Sequence, residues 1–281
     1  VCPHPENIEV AWVLRERAMN SDPTGKEGLY SWDATRPDFV EADAVQRAGM
    51  FATVTGTPLY IVHTSSALAL ETGLSLRKSG SRIFLETCPH YLTHDVNWTG
   101  KDVGKINPPL RHKMDCERLW QAVENGDIDT IATDHVHRDI SSKQGGIWKA
   151  SPGCPGMETL LPIMLTEGFH RRNIPLLRIA ELLSSNPAKL MGLGHRKGSI
   201  SVGMDADFAI VNLNNEWLVQ RDEIISSAGY SIYEDWAMKG KVRDTIVRGK
   251  AIWRNYEPVS NVKGWGEFVP RKLENEERLR A

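Results

Sequence analysis

Long apolar runs are absent from this sequence: nothing approaches the roughly 18 to 20 consecutive residues that a membrane span requires, and Val1 to Asn7 carry no signal-peptide pattern. These absences exclude a membrane partner and set the expectation of a cytoplasmic protein. Cysteine is scarce as well. The 4 cysteines, Cys2, Cys88, Cys116 and Cys154, include no CxxC pair, which argues against a disulfide framework or a zinc knuckle and predicts reduced thiols serving as small apolar side chains. No tract of one charge sign stands out either: 34 Lys and Arg against 36 Asp and Glu give a formal net charge of −2. Without a basic footprint, no nucleic-acid partner is expected, and a small molecule is the natural ligand. An initiator methionine is also missing. The chain opens on Val1 and reaches a chemically loaded motif within four residues, so an upstream segment is expected.

The 281 residues that are present, 41% hydrophobic and 25% charged, suit a globular protein of one large domain with an appendage. Three short β-branched and aromatic runs read as buried strands, at residues 58–63, 82–88 and 129–134, each closing on a polar residue. Helical patterns fall between them at residues 40–53, 67–79 and 115–124, where Leu119, Trp120 and Val123 form an apolar stripe. Alternating strand and helix predicts parallel βαβ units, with the polar strand ends gathered on the face where α/β folds place their active sites. The texture changes near Leu193. Residues 197–203 and 206–211 alternate like strands, and 241–253 reads as a hairpin turning at Arg248-Gly249. The expected division is therefore residues 1–192 as the (β/α) part and 193–281 as a β-rich appendage, ending in a charged, helix-prone tail over 271–281.

His4, His63 and Asp134 are good ligands for zinc or a similar ion, each at or next to the C-terminal end of a strand. A lone histidine there is more often structural; three ligand-type residues at equivalent positions point to one metal-binding mouth. A metal ion held there lowers the pKa of a bound water and makes it a nucleophile, and a carboxylate beside it can move that water's proton. Asp134 is the carboxylate placed for that role.

Specific motifs accompany these ligands. His4-Pro5-Glu6-Asn7 and Val62-His63-Thr64-Ser65-Ser66 are followed by Glu86-Thr87-Cys88-Pro89-His90-Tyr91-Leu92, Asn107-Pro108-Pro109-Leu110-Arg111 and Ala132-Thr133-Asp134-His135. Gly153-Cys154-Pro155-Gly156-Met157-Glu158-Thr159, Asn186-Pro187-Ala188-Lys189 and Gly203-Met204-Asp205-Ala206-Asp207 come after them. In this order the chain resembles the cyclic amidohydrolases, the enzymes that open dihydroorotate, dihydropyrimidine, hydantoin and allantoin rings, over almost its whole length. The resemblance implies a TIM-like (β/α)8 barrel with a small β-sandwich subdomain, of which this chain would be the C-terminal half. It also implies two divalent metal ions, zinc being the best match to N and O ligands, bridged by a carboxylated lysine and a hydroxide. His4 and His63 would hold one ion; Asp134 would hold the other and shuttle the proton. A homo-oligomer, dimer or tetramer, is implied too.

Asn107, before two prolines, is a candidate for binding the imide or ureide edge of a ring, and an Asn in this run tilts the substrate toward dihydroorotate. Gly153 is a candidate for backbone contact with substrate, and His137 for a substrate carboxylate, although the family's Asp-His-Ala-Pro-His run reads Asp134-His135-Val136-His137-Arg138 here. His90 is expected to pack behind the site, and Asp205 and Asp207 carry no catalytic role. Two departures matter. The family's first His-x-His and its bridging lysine have no counterpart, since the only His-x-His is His135-Val136-His137. A complete barrel takes about 250 residues, so the N-terminal half of the barrel is expected to be missing. The alternative to an enzyme is a non-catalytic relative, or an incomplete piece, acting in assembly.

Overall fold

The computed structural model describes residues 1–272, so that most of the tail expected at 271–281 lies outside the described residues. The described residues form two compact units, one made of Val1–Glu158 with Gln220–Glu234 and the other of Thr159–Val219 with residues 235–272. The change of texture at residue 193 thus falls inside the second unit, and residues 220–234 return to the first.

In the first unit, helices α1 (Ile8–Ser21), α2 (Leu29–Thr35) and α3 (Asp38–Thr55) precede β1 (Leu59–Ile61). Then come α4 (Ala67–Lys78), β2 (Ile83–Thr87), α5 (Pro89–Thr93), α6 (Lys113–Asn125) and β3 (Thr130–Ile131). The three strands form a parallel sheet in the order β1-β2-β3, with Leu59 facing Ile83 and Glu86 facing Thr130. Residues before α1 run beside β1: the Val1 amino group donates to the Pro58 carbonyl at 3.1 Å and the Tyr60 amide donates to the Val1 carbonyl at 2.9 Å. That alternation is a parallel ladder, and it brings His4 to the sheet edge. Parallel pairs require long crossovers, which α4 and α6 supply.

Local chemistry sets the helix limits. Ser66 caps α4 by accepting from the Ala69 amide, and Arg77 and Lys78 sit in the last turn, where cations suit the helix dipole. Gly56, at φ 67°, ends α3 by donating to Ala52 and Thr53 carbonyls. The core lies between sheet and helices. Ile61, Leu85, Leu70, Leu119 and Val123 have no exposed surface, and Trp120 donates its indole N–H to the Leu92 carbonyl at 2.7 Å. Gly73 lets α4 close onto β2, since a Cβ there would stand 2.7 Å from Leu85. Three of the four cysteines are buried and free, as expected, while Cys2 is exposed. Among the described residues no helix is long and apolar enough to cross a membrane.

The second unit opens with α7 (Leu160–Ile163), continues as a π-helical stretch over Met164–Arg171, and adds α8 (Leu176–Ala180), a second π stretch (Glu181–Ser185) and α9 (Asn186–Leu190). An antiparallel sheet follows, β4 (Phe208–Leu218), β5 (Ala237–Val247), β6 (Lys250–Arg254) and β7 (Glu257–Pro258), paired in that order. The β5–β6 hairpin turns at Arg248-Gly249, φ 47° and 78°, as read from the sequence. Residues 197–203, expected as a strand, are turns instead. Gly198 and Gly203 take φ 86° and 92°, and Ile200 and Val202 face solvent, so the alternation has no partner strand to serve. The segment is held by ions: Lys197 and Arg196 pair with Asp205 at 2.7 and 2.9 Å, and Lys197 also with Asp207. Among the described residues this unit holds one sheet, where a sandwich would need two layers.

Candidate active site

Strands β1 and β3 both run into residues with a left-handed backbone, His63 at φ 43° and Asp134 at φ 44°. His63 is buried, and His4 stands against it: His4 Nδ1 lies 2.8 Å from His63 Nε2, with ring centroids 4.6 Å apart. The other nitrogen of His4, Nε2, donates to Glu6 Oε2 at 2.6 Å, and Arg36 donates to the same oxygen at 2.6 Å. A carboxylate only accepts, so neutral His4 carries its proton on Nε2 and presents the Nδ1 lone pair to His63. Burial pushes the His63 imidazole down to about 4, with His4 adding to the effect, so it is neutral at pH 7. Its Nδ1 is buried without a partner. Two imidazole nitrogens converging on one point, one ring oriented by a carboxylate, make a donor set that fits a divalent ion.

Glu86, at the end of β2, steadies this arrangement. Its Oε1 accepts from the His63 amide at 3.2 Å and its Oε2 from the Tyr60 hydroxyl at 2.6 Å, while burial raises its carboxyl. Asp134 opens to solvent; partial burial raises its carboxyl and a proton on His4 would pull it the other way, which places the two residues within electrostatic reach. Among the described residues no three His, Cys, Asp or Glu side chains close on a single point. Of the three ligands read from the sequence, His4 and His63 thus arrive as a touching pair, while Asp134 follows β3, with β2 between it and the strand that leads to His63. Neither Glu6 nor Glu86 was assigned a role from sequence, although Glu6 stands two residues from His4 and Glu86 near the end of the second strand run.

The other candidates separate. Asn107, in a loop closed by a cis bond to Pro108, accepts at Oδ1 from the Trp32 indole at 3.2 Å. Gly153 donates its N–H to the Lys105 carbonyl at 2.9 Å, so that group is committed. What needs glycine there is φ 104° and a Val136 methyl that a Cβ would meet at 2.6 Å. His137 is exposed in the loop after β3. His135 Nδ1 accepts from the Gly156 and Met157 amides at 3.2 and 3.3 Å, tying residues 153–157 to that loop. His90 is buried edge-on against Tyr91, with centroids 4.2 Å apart, and burial pushes it down to about 3.

Lys143 is 4% exposed, and its ammonium donates to the Lys105 carbonyl at 3.0 Å, the same oxygen that receives the Gly153 amide. Burial pushes it down to about 8. From there up to the ordinary lysine value near 10.4, the unfolded chain binds more protons than the folded one, so stability rises with pH in that window. Relative to Lys143→Met, the parent chain should therefore gain about 2 kcal/mol between pH 7.5 and 10, read by urea unfolding at each pH. A flat difference would show that the ammonium is not desolvated.

Residues 60–252 match the model of the amidohydrolase family. An L-hydantoinase from Paenarthrobacter aurescens is 32% identical over 275 residues, covering 96% of this chain and 59% of the relative. An allantoinase from Deinococcus radiodurans is 34% identical over 278 residues, covering 94% of this chain and 58% of the relative. The solved structure of a D-hydantoinase (dihydropyrimidinase) from Thermus sp. superposes with a TM-score of 0.90 at 29% identity, covering 96% of this chain and 60% of that one. The chain spans about three fifths of the length of these relatives. With motifs, parallel α/β architecture and matches in agreement, the chain belongs to the amidohydrolase family and, within it, to the cyclic amidohydrolases.

Proposed function

We propose that the protein hydrolyses a C–N bond of a cyclic amide or ureide ring at a metal centre whose ligands include His4, His63 and Asp134. The observation that carries this is the convergence of His4 Nδ1 and His63 Nε2 at 2.8 Å, with Glu6 holding the opposite nitrogen of His4. A divalent ion bound there, zinc by the chemistry of its donors, supplies Lewis acidity toward water and toward the ring carbonyl. The chain's own residues do the rest. Glu6 and Arg36 keep the His4 lone pair aimed, and Glu86 holds the backbone of His63. Asp134 takes the proton of the attacking water and returns it to the ring nitrogen as the amide bond breaks. Asn107 offers its NH2 to a ring carbonyl. The hydantoinase and allantoinase names of the relatives favour a five-membered ureide ring over the dihydroorotate suggested by Asn107 alone.

In the same proposal the three parallel strands are consecutive members of a (β/α)8 barrel, and the four-stranded sheet is one layer of a sandwich. The remaining ligands, a His-x-His pair and a carboxylated lysine bridging a second ion, then lie outside these 281 residues. The test is elemental analysis together with ring-opening assays on hydantoin, allantoin, dihydrouracil and dihydroorotate, using the longest natural chain that carries this sequence. Bound zinc with turnover of one ring, both lost in His63→Ala, is the expected result. A metal-free protein that opens none of the rings would overturn the proposal.

A further inference from the structure

A buried ion pair touches neither histidine, yet its hydrogen bonds reach the segments that carry both. Glu41, on α3, has no exposed surface. Its Oε1 accepts from the Ser65 amide at 2.8 Å, and its Oε2 accepts from the Ser65 and Ser66 hydroxyls at 2.6 and 2.9 Å. Arg111, 2% exposed, donates through Nε to Ser65 Oγ at 3.0 Å, through one terminal nitrogen to Glu41 at 3.3 Å, and through the other to Asp33 at 2.8 Å and to the Arg36 carbonyl.

The recipients give the network its meaning. Ser65 lies two residues after His63, in the turn that delivers that ring. Arg36 is the residue whose guanidinium holds Glu6, which in turn orients His4. The Arg111 guanidinium therefore joins the side chain of Ser65, in the turn after His63, to the backbone of Arg36, whose own guanidinium holds the carboxylate against His4. Arg111 also stands four residues after Asn107, so the substrate-side loop is anchored at the same junction. Stability alone is a poor reason for such a pair, because burying two charges is expensive and apolar side chains of equal volume do as well or better. What apolar side chains lack is direction: a planar guanidinium and a carboxylate fix where several partners stand.

We propose that Glu41 and Arg111 are positioning residues that set the spacing of His4 and His63. The proposal rests on these two histidines sharing an ion, and its test separates the two ideas. Zinc affinity of the longest natural chain is measured by competition with a chromophoric chelator, and the unfolding free energy of the metal-free protein is measured in parallel. Arg111→Lys keeps the charge and loses the fork. Ser65→Ala removes only the shared hydroxyl and guards against a variant that does not fold. Leu119→Val, in the core on α6, is the control for lost stability. Arg111→Lys and Ser65→Ala should each weaken zinc binding by about 10- to 100-fold, the range seen when groups that orient metal ligands are removed, while Leu119→Val stays within about twofold. Affinities unchanged in both network variants, or lowered equally in the control, would overturn the positioning role.

Should the parent chain bind no zinc, the shared-ion reading fails and the network is judged without metal, by nitrogen NMR of the histidine rings. Arg111→Lys is then expected to shift the His4 Nδ1 and His63 Nε2 resonances, and unshifted resonances would overturn the proposal.

Discussion

Asp134→Asn should lower kcat for ring opening by about 10³-fold or more while leaving KM within a few-fold. The side chain keeps its volume and loses its ability to accept a proton. Proton transfer by a positioned carboxylate contributes about 10² to 10⁴ in rate, and Asp134 is the exposed carboxylate at a strand end within electrostatic reach of His4. Steady-state kinetics on whichever ring the parent opens, with zinc content measured on the same samples, decides the matter. Loss of rate with metal retained assigns the proton transfer; loss of both makes Asp134 first a ligand. A decrease of less than about tenfold would remove Asp134 from the chemistry and leave Glu86, whose carboxyl burial already raises, as the group to test next.

Trp120→Ala should be the most destabilising single core change among the residues of α6. The ring is 1% exposed, and its N–H serves the Leu92 carbonyl at 2.7 Å, just beyond His90 and Tyr91. Truncation removes the ring's apolar burial and opens a cavity, together worth about 3 to 5 kcal/mol. It also strands a buried carbonyl, worth about 1 kcal/mol or more. Urea unfolding should show a midpoint lowered accordingly with an unchanged slope. A loss under about 1.5 kcal/mol would mean that α5 and α6 repack over the gap.

Much of this architecture was legible from residue order because it is local. Helices α3, α4 and α6 fall within two residues of their expected limits, since Gly56, Ser66 and Gly126 punctuate them chemically. The three strands proved shorter than their runs, because only the residues that pair are counted and the polar ends turn away. Helix α1 gave no signal for a physical reason: it buries only Ala11 and leaves Trp12 and Val13 exposed, so no apolar stripe marks it. Helix α2 follows a turn organised by Asp22, whose carboxylate collects the Lys26 and Glu27 amides and the Ser31 hydroxyl, a side-chain device invisible to periodicity. In the site, the meeting of His4 and His63 could be anticipated from strand ends. The Glu41–Arg111 junction could not, since its partners lie 70 residues apart and the motif that carries Arg111 does not show what its guanidinium binds.

The left-handed conformation shared by His63 and Asp134 acts as a filter on which sequences can be explored there. At φ near +44°, glycine, asparagine and aspartate are accommodated, whereas valine, isoleucine or threonine would carry roughly 1 to 2 kcal/mol of added strain. In a saturation library sorted only by how much folded protein accumulates, glycine and asparagine at both positions should survive beside the natural residues while β-branched variants are depleted. Sorting the survivors by turnover would then expose the chemical requirement alone, already stripped of its backbone component.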